Sequence, residues 1–593
     1  MHLKTIIGLG SMLLGLATAG IGHAQQTIAT QAAASIFTVT TFNDEVNQNG
    51  QCSLREAIVA ANTNSVSADC GNGALVTTIN LASGTYTLNI DNPAPVGTEF
   101  RLDDNSGLYG DLDITDTLSL VGAAPNLTII SGLSVANTNR ILHIHSGTVN
   151  LSNLSLIEAH SPWNGAAIYN QGQLTINNVN LNNNQTVLNL NYNDNLAALH
   201  GGAIYNAGSL SISNSALIGN RTAATLHDFN GGAIYNTAQL TINAVDFRQN
   251  QAVNGGAIYS TSTDQQLSIS TSEFTDNEAI IVNDNEDPQG GALWLNSTKT
   301  ISNTIFRSNE ANAGGAIYAL KALTINTSIF DRNAAGSGNG IAHGTAIHSK
   351  GQSNINRSIF KFNAGDSAAI GNAGTMQLDR ATIINNSNRA IEFMGTAPIG
   401  TGGGVHNTNQ LTIINSTISN NTANLAGAGI YNSRSLHLIN TSVISNGIKF
   451  GDEDGVGGGI YTLPASTSYL TNTLISLNTA PAGADCWGAT QGFYALISEL
   501  DDCQLAGNTN LGDLAAQTSP LTQVDDYTWV APLTQTSPAV DAGNNQACPA
   551  SDQRGQSRPI DGNGDLLARC DLGAYEFVST QTFYHQFAPW ATR

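Results

Sequence analysis

The sequence has few charged side chains and very few cationic ones. Charged residues make up 11% of the chain, and 21 Lys and Arg residues stand against 43 Asp and Glu residues, giving a formal net charge of −22. Proteins that bind nucleic acid or anionic lipid through phosphate groups need a dense basic face. The composition therefore excludes nucleic acid as a partner and is typical of a chain with a large water-facing surface.

Beyond its first residues, the sequence has no apolar run long enough to span a bilayer, so we expect no transmembrane segment in the mature chain. The first residues carry one cation, Lys4, then an apolar stretch from Ile6 to Ile21, and then small residues before Gln25. This pattern predicts a secretory signal peptide over 1–24, cleaved after Ala24. A retained membrane anchor is the alternative, and it is disfavoured because the apolar stretch is short and rich in glycine.

Cysteine is also scarce, with six in the chain, and all six lie outside the repeats described below. An even number of cysteines after a secretion signal predicts disulfides, and sequence proximity favours local pairing among the possible connectivities. Zinc is the alternative ligand, but no C-x-x-C spacing occurs. The expected pairs are Cys52 with Cys70, Cys486 with Cys503, and Cys548 with Cys570.

What the sequence does have is a repeat, and residues 231–250, G-G-A-I-Y-N-T-A-Q-L-T-I-N-A-V-D-F-R-Q-N, are one copy. Variants recur between about residue 165 and residue 478, which indicates one structural unit stacked many times. We expect an all-β fold: a single-stranded, right-handed parallel β-helix with three strands per coil. A short helix caps its N-terminal end, and a disulfide-stapled segment caps its C-terminal end.

One position of the repeat is asparagine in every copy. Stacked coils lie about 4.8 Å apart, so an asparagine at a turn can hydrogen-bond its equivalents above and below. Asparagine also tolerates the left-handed backbone that a sharp turn demands, and we expect that backbone at these residues. The predicted ladder comprises Asn184, Asn220, Asn250, Asn277, Asn309, Asn333, Asn363, Asn386, Asn421, Asn446 and Asn478.

The A-I-Y-N segment alternates, which places its isoleucine and its tyrosine on opposite faces of a strand. We expect the isoleucine to point into the core, so that the aromatic residue points outward and forms a row over successive coils. Flat rings stack on sugars, which makes the row a candidate carbohydrate-binding surface; the alternative is that the rings stack on one another and cover backbone. The row comprises Tyr205, Tyr235, Tyr259, Trp294 and Tyr318, with Tyr169, Tyr431 and Tyr461 in other copies, and His348 and His406 replacing the ring in two.

A short helix is predicted before the repeats, over 52–62. Ser53 and Glu56 have the spacing of a capping box, and the apolar residues that follow form one stripe. Such a helix would cover the open end of the core and prevent edge-to-edge stacking. The stretch C-S-L-R-E-A resembles the signature of CSLREA-domain proteins, which are secreted bacterial proteins that often continue into parallel β-helices. For Arg55 we expect an ion pair on the helix surface or a stacked guanidinium.

A second resemblance lies at the other end of the chain. The motifs S-P-A-V-D-A-G, D-Q-R-G and C-D-L-G-A-Y-E, between 537 and 576, are similar to the close of the choice-of-anchor Q domain of surface or secreted bacterial β-helix proteins. The G-G-A-I-Y repeats also resemble those of polymorphic outer-membrane proteins. These resemblances imply a protein that is secreted or lies at the surface of a bacterial cell. The expected organisation is a signal peptide at 1–24, an N-terminal cap at 25–75, the β-helix at 76–480, a C-terminal cap at 481–578 and a tail at 579–593.

A candidate calcium loop lies in the predicted C-terminal cap. Asp561, Asn563 and Asp565 place oxygen ligands at alternate positions, although the later glutamate of an EF-hand is not at the required spacing. Ca²⁺ is therefore a possible ligand and the one cofactor that the sequence suggests.

Two further groups of metal-ligand type lie before the repeats. Asp111, Asp113 and Asp116 could bind Ca²⁺, but alternating carboxylates on a solvated strand face are the plainer interpretation. His143 and His145 share one strand face, as a metal site would require. The sequence names no third ligand for them, so we interpret them as surface or stacked histidines.

We assign no catalytic residue. A β-helix glycosidase needs two carboxylates about 5 to 10 Å apart, and the repeats show no recurring acid pair. Asp379 and Arg380 are expected to form a surface ion pair. The sequence therefore favours a non-catalytic β-helix for adhesion, matrix contact or structural display. The alternatives are a polysaccharide lyase or glycoside hydrolase acting on an acidic polysaccharide, and a solenoid that binds carbohydrate or cell-surface components.

Overall fold

The computed structural model describes residues 35–72, 77–90, 105–132, 140–187, 199–222, 229–261, 267–281, 287–336, 344–389, 400–449 and 455–579. The predicted signal peptide lies outside the described residues, as do the first part of the predicted N-terminal cap and residues 580–593 of the predicted tail.

The described chain is a parallel β-helix, as the repeat predicts, because equivalent strands of successive coils pair in parallel and in register. Each coil contributes to three main faces, and most coils add a two-residue strand that forms a corner ladder. The strands of the corner ladder are too short to show an alternating pattern in the sequence.

The strands of each ladder have the following bounds. Face 1 consists of Leu112–Ile114, Leu142–Ile144, Ile168–Asn170, Ile204–Asn206, Ile234–Asn236, Ile258–Ser260, Leu293–Leu295, Ile317–Ala319, Ile347–Ser349, Ile370–Asn372, Val405–Asn407, Ile430–Asn432, Ile460–Thr462 and the start of Cys486–Phe493. Face 2 consists of Ser35–Thr38, Thr77–Asn80, Leu118–Val121, Thr148–Ile157, Gln173–Asn182, Ser209–Ile218, Gln239–Arg248, Leu267–Ser270, Lys299–Ser302, Leu323–Asn326, Gln352–Asn356, Thr375–Asp379, Gln410–Ile414, Ser435–Ile439, Thr467–Thr471, the end of Cys486–Phe493, and Cys503–Ala506.

Four of the face 2 strands, those of ten residues, bend and continue into face 3. The other strands of face 3 are Gly84–Thr87, Thr128–Ser131, Glu273–Thr275, Ile305–Arg307, Ile329–Asp331, Ile359–Lys361, Thr382–Ile384, Thr417–Ser419, Ser442–Ile444, Leu474–Ser476, Leu496–Ile497 and Leu511–Gly512. The corner ladder consists of His160–Ser161, Gln185–Thr186, Gln251–Ala252, Glu278–Ala279, Glu310–Ala311, Ala334–Ala335, Ala364–Gly365, Ser387–Asn388, Thr422–Ala423 and Gly447–Ile448.

The core is built from columns of like side chains, because in-register strands place the same kind of residue at each level. Face 1 contributes a column of isoleucines that includes Ile204, Ile234 and Ile258, all fully buried as predicted. Face 3 contributes a column of phenylalanines from Phe247 to Phe360, whose ring centroids lie 4.6–5.0 Å apart with planes within 10° of parallel. Stacked rings at this spacing add to the free energy of simple burial.

The predicted asparagine ladder is confirmed from Asn184 to Asn478. The Oδ1 of each asparagine accepts the backbone N–H and the Nδ2 of the preceding one, as Asn309 does from Asn277 at 3.1 and 2.9 Å. Each Nδ2 also donates to a backbone carbonyl of the coil before it, so every rung is fully satisfied while buried. In the next coil the register places Leu500 at the ladder position, and the last acceptor is instead the Asp485 carboxylate, at 2.9 Å from Asn478 Nδ2.

The left-handed backbone was predicted at the wrong residue. It lies one position earlier, at a residue that needs no particular side chain, such as Gln249, Asp276, Phe362 and Leu477, with φ between 54° and 60°. The ladder asparagine itself is held by hydrogen bonds to neighbouring coils. Hydrogen bonding is therefore the reason for asparagine at the ladder position.

A second amide ladder lies on the inner side of face 1, and the sequence analysis did not predict it. Asn170, Asn206 and Asn236 are linked by Nδ2-to-Oδ1 bonds of 2.7 Å, and a similar run links Asn372, Asn407 and Asn432. The signal was present in A-I-Y-N, because the asparagine shares the inward face with the isoleucine.

At the N-terminal end, helix α1 (Leu54–Thr63) packs on the first coils with the predicted capping box between Ser53 and Glu56. The predicted Cys52–Cys70 disulfide joins the residues before the helix to those after it, and an antiparallel pair, Val66–Ser67 with Gly71–Asn72, follows the helix. The surface position expected for Arg55 is wrong, because its side chain is fully buried.

At the C-terminal end, the Cys486–Cys503 and Cys548–Cys570 disulfides form as predicted. The segment after the last coil contains the antiparallel pair Thr522–Gln523 with Trp529–Val530 and the 3₁₀ helix Asn545–Ala547. It returns along the flank of the β-helix: Gln553 bonds with Thr417 and Thr382, and Asp525 pairs with Arg357 at 2.8 Å. The predicted terminal cap thus also braces earlier coils.

Candidate functional site

The most regular outward feature is one position on face 1, here named the outer row. The strand register aligns Asp113, His143, Tyr169, Tyr205, Tyr235, Tyr259, Trp294, Tyr318, His348, Gly371, His406, Tyr431, Tyr461 and Trp487 at this position. The sequence identified its aromatic members from Tyr169 to Tyr461, but not Trp487. It did not show that an aspartate and a histidine begin the row.

The rings of the outer row lie against one another. From Tyr205 to Tyr318 the centroids are 4.1–6.5 Å apart and the planes are within 17° of parallel. Near-parallel planes at these separations mean that the half-buried rings from Tyr205 to Trp294 expose their edges rather than their faces. The outward position predicted for Tyr318 is wrong, because the next coil covers this ring and leaves it 3% exposed. A sugar therefore has no broad ring face on which to lie, and the geometry favours the structural interpretation of the row.

Burial within the stack affects the tyrosine hydroxyls. Desolvation, with neighbouring Tyr235 and Tyr169 as smaller causes, raises the pKa of Tyr205 to about 12. Burial likewise raises the pKa of Tyr431. These hydroxyls stay protonated at neutral pH and can both donate and accept hydrogen bonds.

The N-terminal end of the outer row is a group of three metal-ligand side chains, here named the His–Asp cluster: Asp113, His143 and His145. Their ligand atoms lie within 4.8 Å of one another. His145 Nε2 is 2.7 Å from Asp113 Oδ1, and His143 Nδ1 is 3.5 Å from the same oxygen. The two imidazole rings lie 3.6 Å apart between centroids, with their planes tilted by 33°. The two histidines thus contact each other, and the third ligand comes from the coil before.

Groups around the His–Asp cluster hold it in place. The Gly107 N–H donates to Asp113 Oδ2 at 2.8 Å, and Gln171 Oε1 lies 3.4 Å from His143 Nε2. Arg140 forms a buried ion pair with Asp111 at 2.9 Å, and its Nη2 is 3.1 Å from His143 Nδ1. The cluster is therefore a polar network at the edge of the core, with the His145 side chain 20% exposed.

Helix α1 positions one wall of this cluster through Arg55. Its guanidinium pairs with Asp44 through two hydrogen bonds, of 2.7 and 3.0 Å. It also donates to the carbonyls of Gly107, Gly110 and Asp111. The loop that carries the Gly107 N–H and the Asp111 carboxylate is thereby fixed against the cap. The sequence could not show this, because the contacting groups are backbone carbonyls about fifty residues away.

Other predicted groups are placed as follows. In the proposed calcium loop, Asp561 accepts the N–H groups of Gly564 and Leu566, and Asn563 accepts that of Asp565. These side-chain oxygens thus stabilise a turn. Asp116 accepts a hydrogen bond from Asn64 at the end of helix α1.

Asp379 and Arg380 lie 3.7 Å apart, with side chains about one-third exposed, as expected of a surface ion pair. Burial raises the pKa of Asp379, and Arg380 partly opposes the shift.

Among the described residues, no helix is long and apolar enough to cross a membrane.

Comparison with known proteins gives one family match and several distant structural similarities. A model of the Chlamydia polymorphic membrane protein (Chlamydia_PMP) repeat matches residues 244–261. No curated protein matches the chain significantly.

Similar solved structures include a mannuronic acid-specific polysaccharide family 6 lyase from human gut microbiota, 12% identical, covering 74% of this chain and 86% of that chain with a TM-score of 0.34. Pectate lyase Pel9A is 13% identical and covers 92% and 96% of the two chains with a TM-score of 0.21. The A-module of Azotobacter vinelandii mannuronan C-5 epimerase AlgE4 is 12% identical and covers 80% and 97% with a TM-score of 0.24. At these TM-scores the similarities support no conclusion about activity.

Proposed function

We propose that the chain is a secreted or cell-surface β-helix that acts by contact, in adhesion, matrix contact or structural display, and without catalysis. The observation that carries the proposal is the continuous ladder of buried amides from Asn184 to Asn478, which locks every coil to the next. Such a scaffold presents its side chains at fixed spacing. Recognition then falls to exposed ring edges and to the loops between coils.

The surface location draws support from two observations. The repeat matched over 244–261 is described from a polymorphic membrane protein, and all three cysteine pairs form disulfides, which persist in oxidising compartments. We keep the CSLREA and choice-of-anchor Q assignments of the two ends, and the domain boundaries drawn from them, as part of the proposal.

Carbohydrate binding through the outer row is the alternative function. Because the ring faces overlap, a glycan would meet ring edges and hydroxyls rather than stack on the rings. A triple Tyr205→Phe, Tyr235→Phe, Tyr259→Phe variant removes the hydroxyls and keeps the stack. We expect unchanged thermal stability, and weaker retention on immobilised polysaccharide only if the row is a glycan-binding surface.

The experiment that tests the proposal combines location, contact and turnover. We expect surface labelling of intact producing cells or recovery from the medium, and retention of the purified mature chain on cells or matrix polymers. We expect no release of unsaturated or reducing sugar from alginate or pectin, with or without Ca²⁺. Reproducible turnover of either polymer would replace the contact proposal with the lyase or hydrolase alternative.

A further inference from the structure

The His–Asp cluster has the composition of a metal-binding site, and its ligand atoms lie within 4.8 Å of one another. Zn²⁺ takes His nitrogens and carboxylate oxygens at about 2.0–2.2 Å, so ligand atoms in a tetrahedral site lie roughly 3.3 Å apart. The His143 Nδ1 to Asp113 Oδ1 distance is 3.5 Å, which already fits. The His145 Nε2 to Asp113 Oδ1 distance is 2.7 Å, a hydrogen bond that opens by about half an ångström when a metal ion replaces the shared proton.

The surrounding groups orient the ligands as metal sites require. A second-shell partner on a ligand fixes its orientation and its protonated nitrogen. Gly107 N–H binds Asp113 Oδ2 and leaves Oδ1 facing the histidines. Gln171 Oε1, 3.4 Å from His143 Nε2, is placed to accept the proton of that nitrogen, so that Nδ1 keeps its lone pair for a ligand.

One neighbouring charge opposes a cation. Arg140 Nη2 lies 3.1 Å from His143 Nδ1, and a metal ion would displace that contact. The guanidinium remains paired with Asp111 through Nε at 2.9 Å, so it need not leave the site. The two carboxylates, Asp111 and Asp113, balance the added charge in part. The Arg140 charge therefore lowers the affinity for the metal ion but removes none of its ligands.

We propose that Asp113, His143 and His145 bind one divalent transition metal ion of the zinc class, with a fourth position open to water. Two histidines with one carboxylate are a ligand set for Zn²⁺ and for neighbouring divalent metals, whereas Ca²⁺ prefers oxygen ligands alone. The ion would join two consecutive coils beneath the loop that Arg55 holds. The site is separate from the contact function proposed above and does not depend on it.

The test uses the full mature chain without a histidine tag, stripped with chelator. We expect Zn²⁺ titration to saturate at one ion per chain and to raise the melting temperature. The Asp113→Asn and His145→Gln variants should each lose more than about tenfold in affinity, since even the loss of an outer partner typically costs 10- to 100-fold. The matched control is His406→Gln. His406 lies in the outer row, as His143 does, but away from the cluster, so this variant should bind Zn²⁺ like the parent.

A second measurement separates loss of binding from loss of folding. His145→Gln keeps a donor for Asp113, so its circular dichroism in chelator should match that of the parent. Co²⁺ in place of Zn²⁺ should give the intense visible absorption of a four-coordinate ion in the parent and lose it in His145→Gln. No saturable binding by the parent, or a folded His145→Gln variant with parental affinity and Co²⁺ spectrum, overturns the proposal.

Discussion

At the scale of single residues, the described part of the core contains buried polar side chains whose hydrogen bonds are all made and others, such as Lys299, with a polar atom that makes none. Asn309 is buried, yet its amide makes bonds to Asn277, Asn333 and the Phe274 carbonyl. Lys299 is 1% exposed and lies in the core column between Leu267 and Leu323, and its Nζ has no hydrogen-bond partner. Burial without a partner costs free energy, so these two residues predict opposite results of substitution.

Asn309→Ala should destabilise the fold by about 2–5 kcal/mol, because the Asn277 N–H and Nδ2 both lose their acceptor while buried. The control is Asn354→Ala, at an exposed position of face 2, which should change stability by less than about 0.5 kcal/mol. Chemical denaturation of both variants gives the comparison. Equal effects would contradict the role of the ladder.

Lys299→Met should stabilise the protein at neutral pH by about 1–3 kcal/mol, because it removes a buried amine and keeps the apolar stem. Burial lowers the pKa of Lys299 to about 8 from 10.5, so the folded chain releases a proton more readily than the unfolded chain. The parent therefore gains stability as pH rises from about 8 to 10.5, and the advantage of the variant should shrink over that range. Melting temperatures of both proteins across this range test the sign.

Single positions also show the limit of sequence analysis. The ladder asparagines could be predicted because each stands at a fixed position in every copy. The left-handed residue before them could not, since Gln249, Asp276 and Phe362 share no side-chain property. There the backbone conformation is imposed by the hydrogen bonds of the following asparagine.

At the scale of elements, helix α1 does more than cover the end of the core. Arg55 makes a bidentate pair with Asp44 and caps three carbonyls of the 107–111 loop. The capping box was predictable, because both of its partners lie within four residues. The destination of Arg55 was not, and neither was the His–Asp cluster, because Asp113 meets His143 only through the stacking of two irregular coils.

Arg55→Met should destabilise the N-terminal end by about 3–5 kcal/mol, because it leaves the buried Asp44 carboxylate with backbone N–H donors but no cation. Arg55→Lys restores the charge but cannot bridge the carboxylate and the three carbonyls, so it should recover only part of the loss. Hydrogen exchange in Leu54–Thr63 should accelerate in both variants while the central coils stay protected. Parental protection of the helix in Arg55→Met would contradict this role.

At the scale of the whole molecule, the end segment and the coils are one structure. The Arg357–Asp525 pair and the Gln553 bonds join groups 136 to 172 residues apart. The repeat predicted the stacked coils, but no sequence pattern specifies which coil a returning segment contacts. The C-terminal segment also contains three fully buried acidic side chains, Asp552, Asp571 and Glu576, and Glu576 pairs with the fully buried Arg558 side chain at 3.4 Å.

Stability should therefore depend on pH through this segment. Burial, and to a lesser degree Glu576, raises the pKa of Asp571 from 3.8 to about 8. The folded chain thus retains a proton that the unfolded chain releases, so the contribution of this group is full below about pH 3.8 and is lost as pH rises to about 8. We expect Asp571→Asn to flatten the fall in melting temperature over this window. A parallel profile for parent and variant would contradict the assignment.

The asparagine ladder has a direction. Every rung presents an acceptor toward the coil before it and a donor toward the coil after it, from Asn184 to Asn478. A coil that carries such a rung can thus be removed or duplicated without leaving an unmatched donor or acceptor. The number of coils is therefore free to vary by whole units. The Asp485 carboxylate accepts hydrogen bonds and, when ionised, donates none, so the ladder ends there. A longer relative of this chain would carry its extra coils before Asp485.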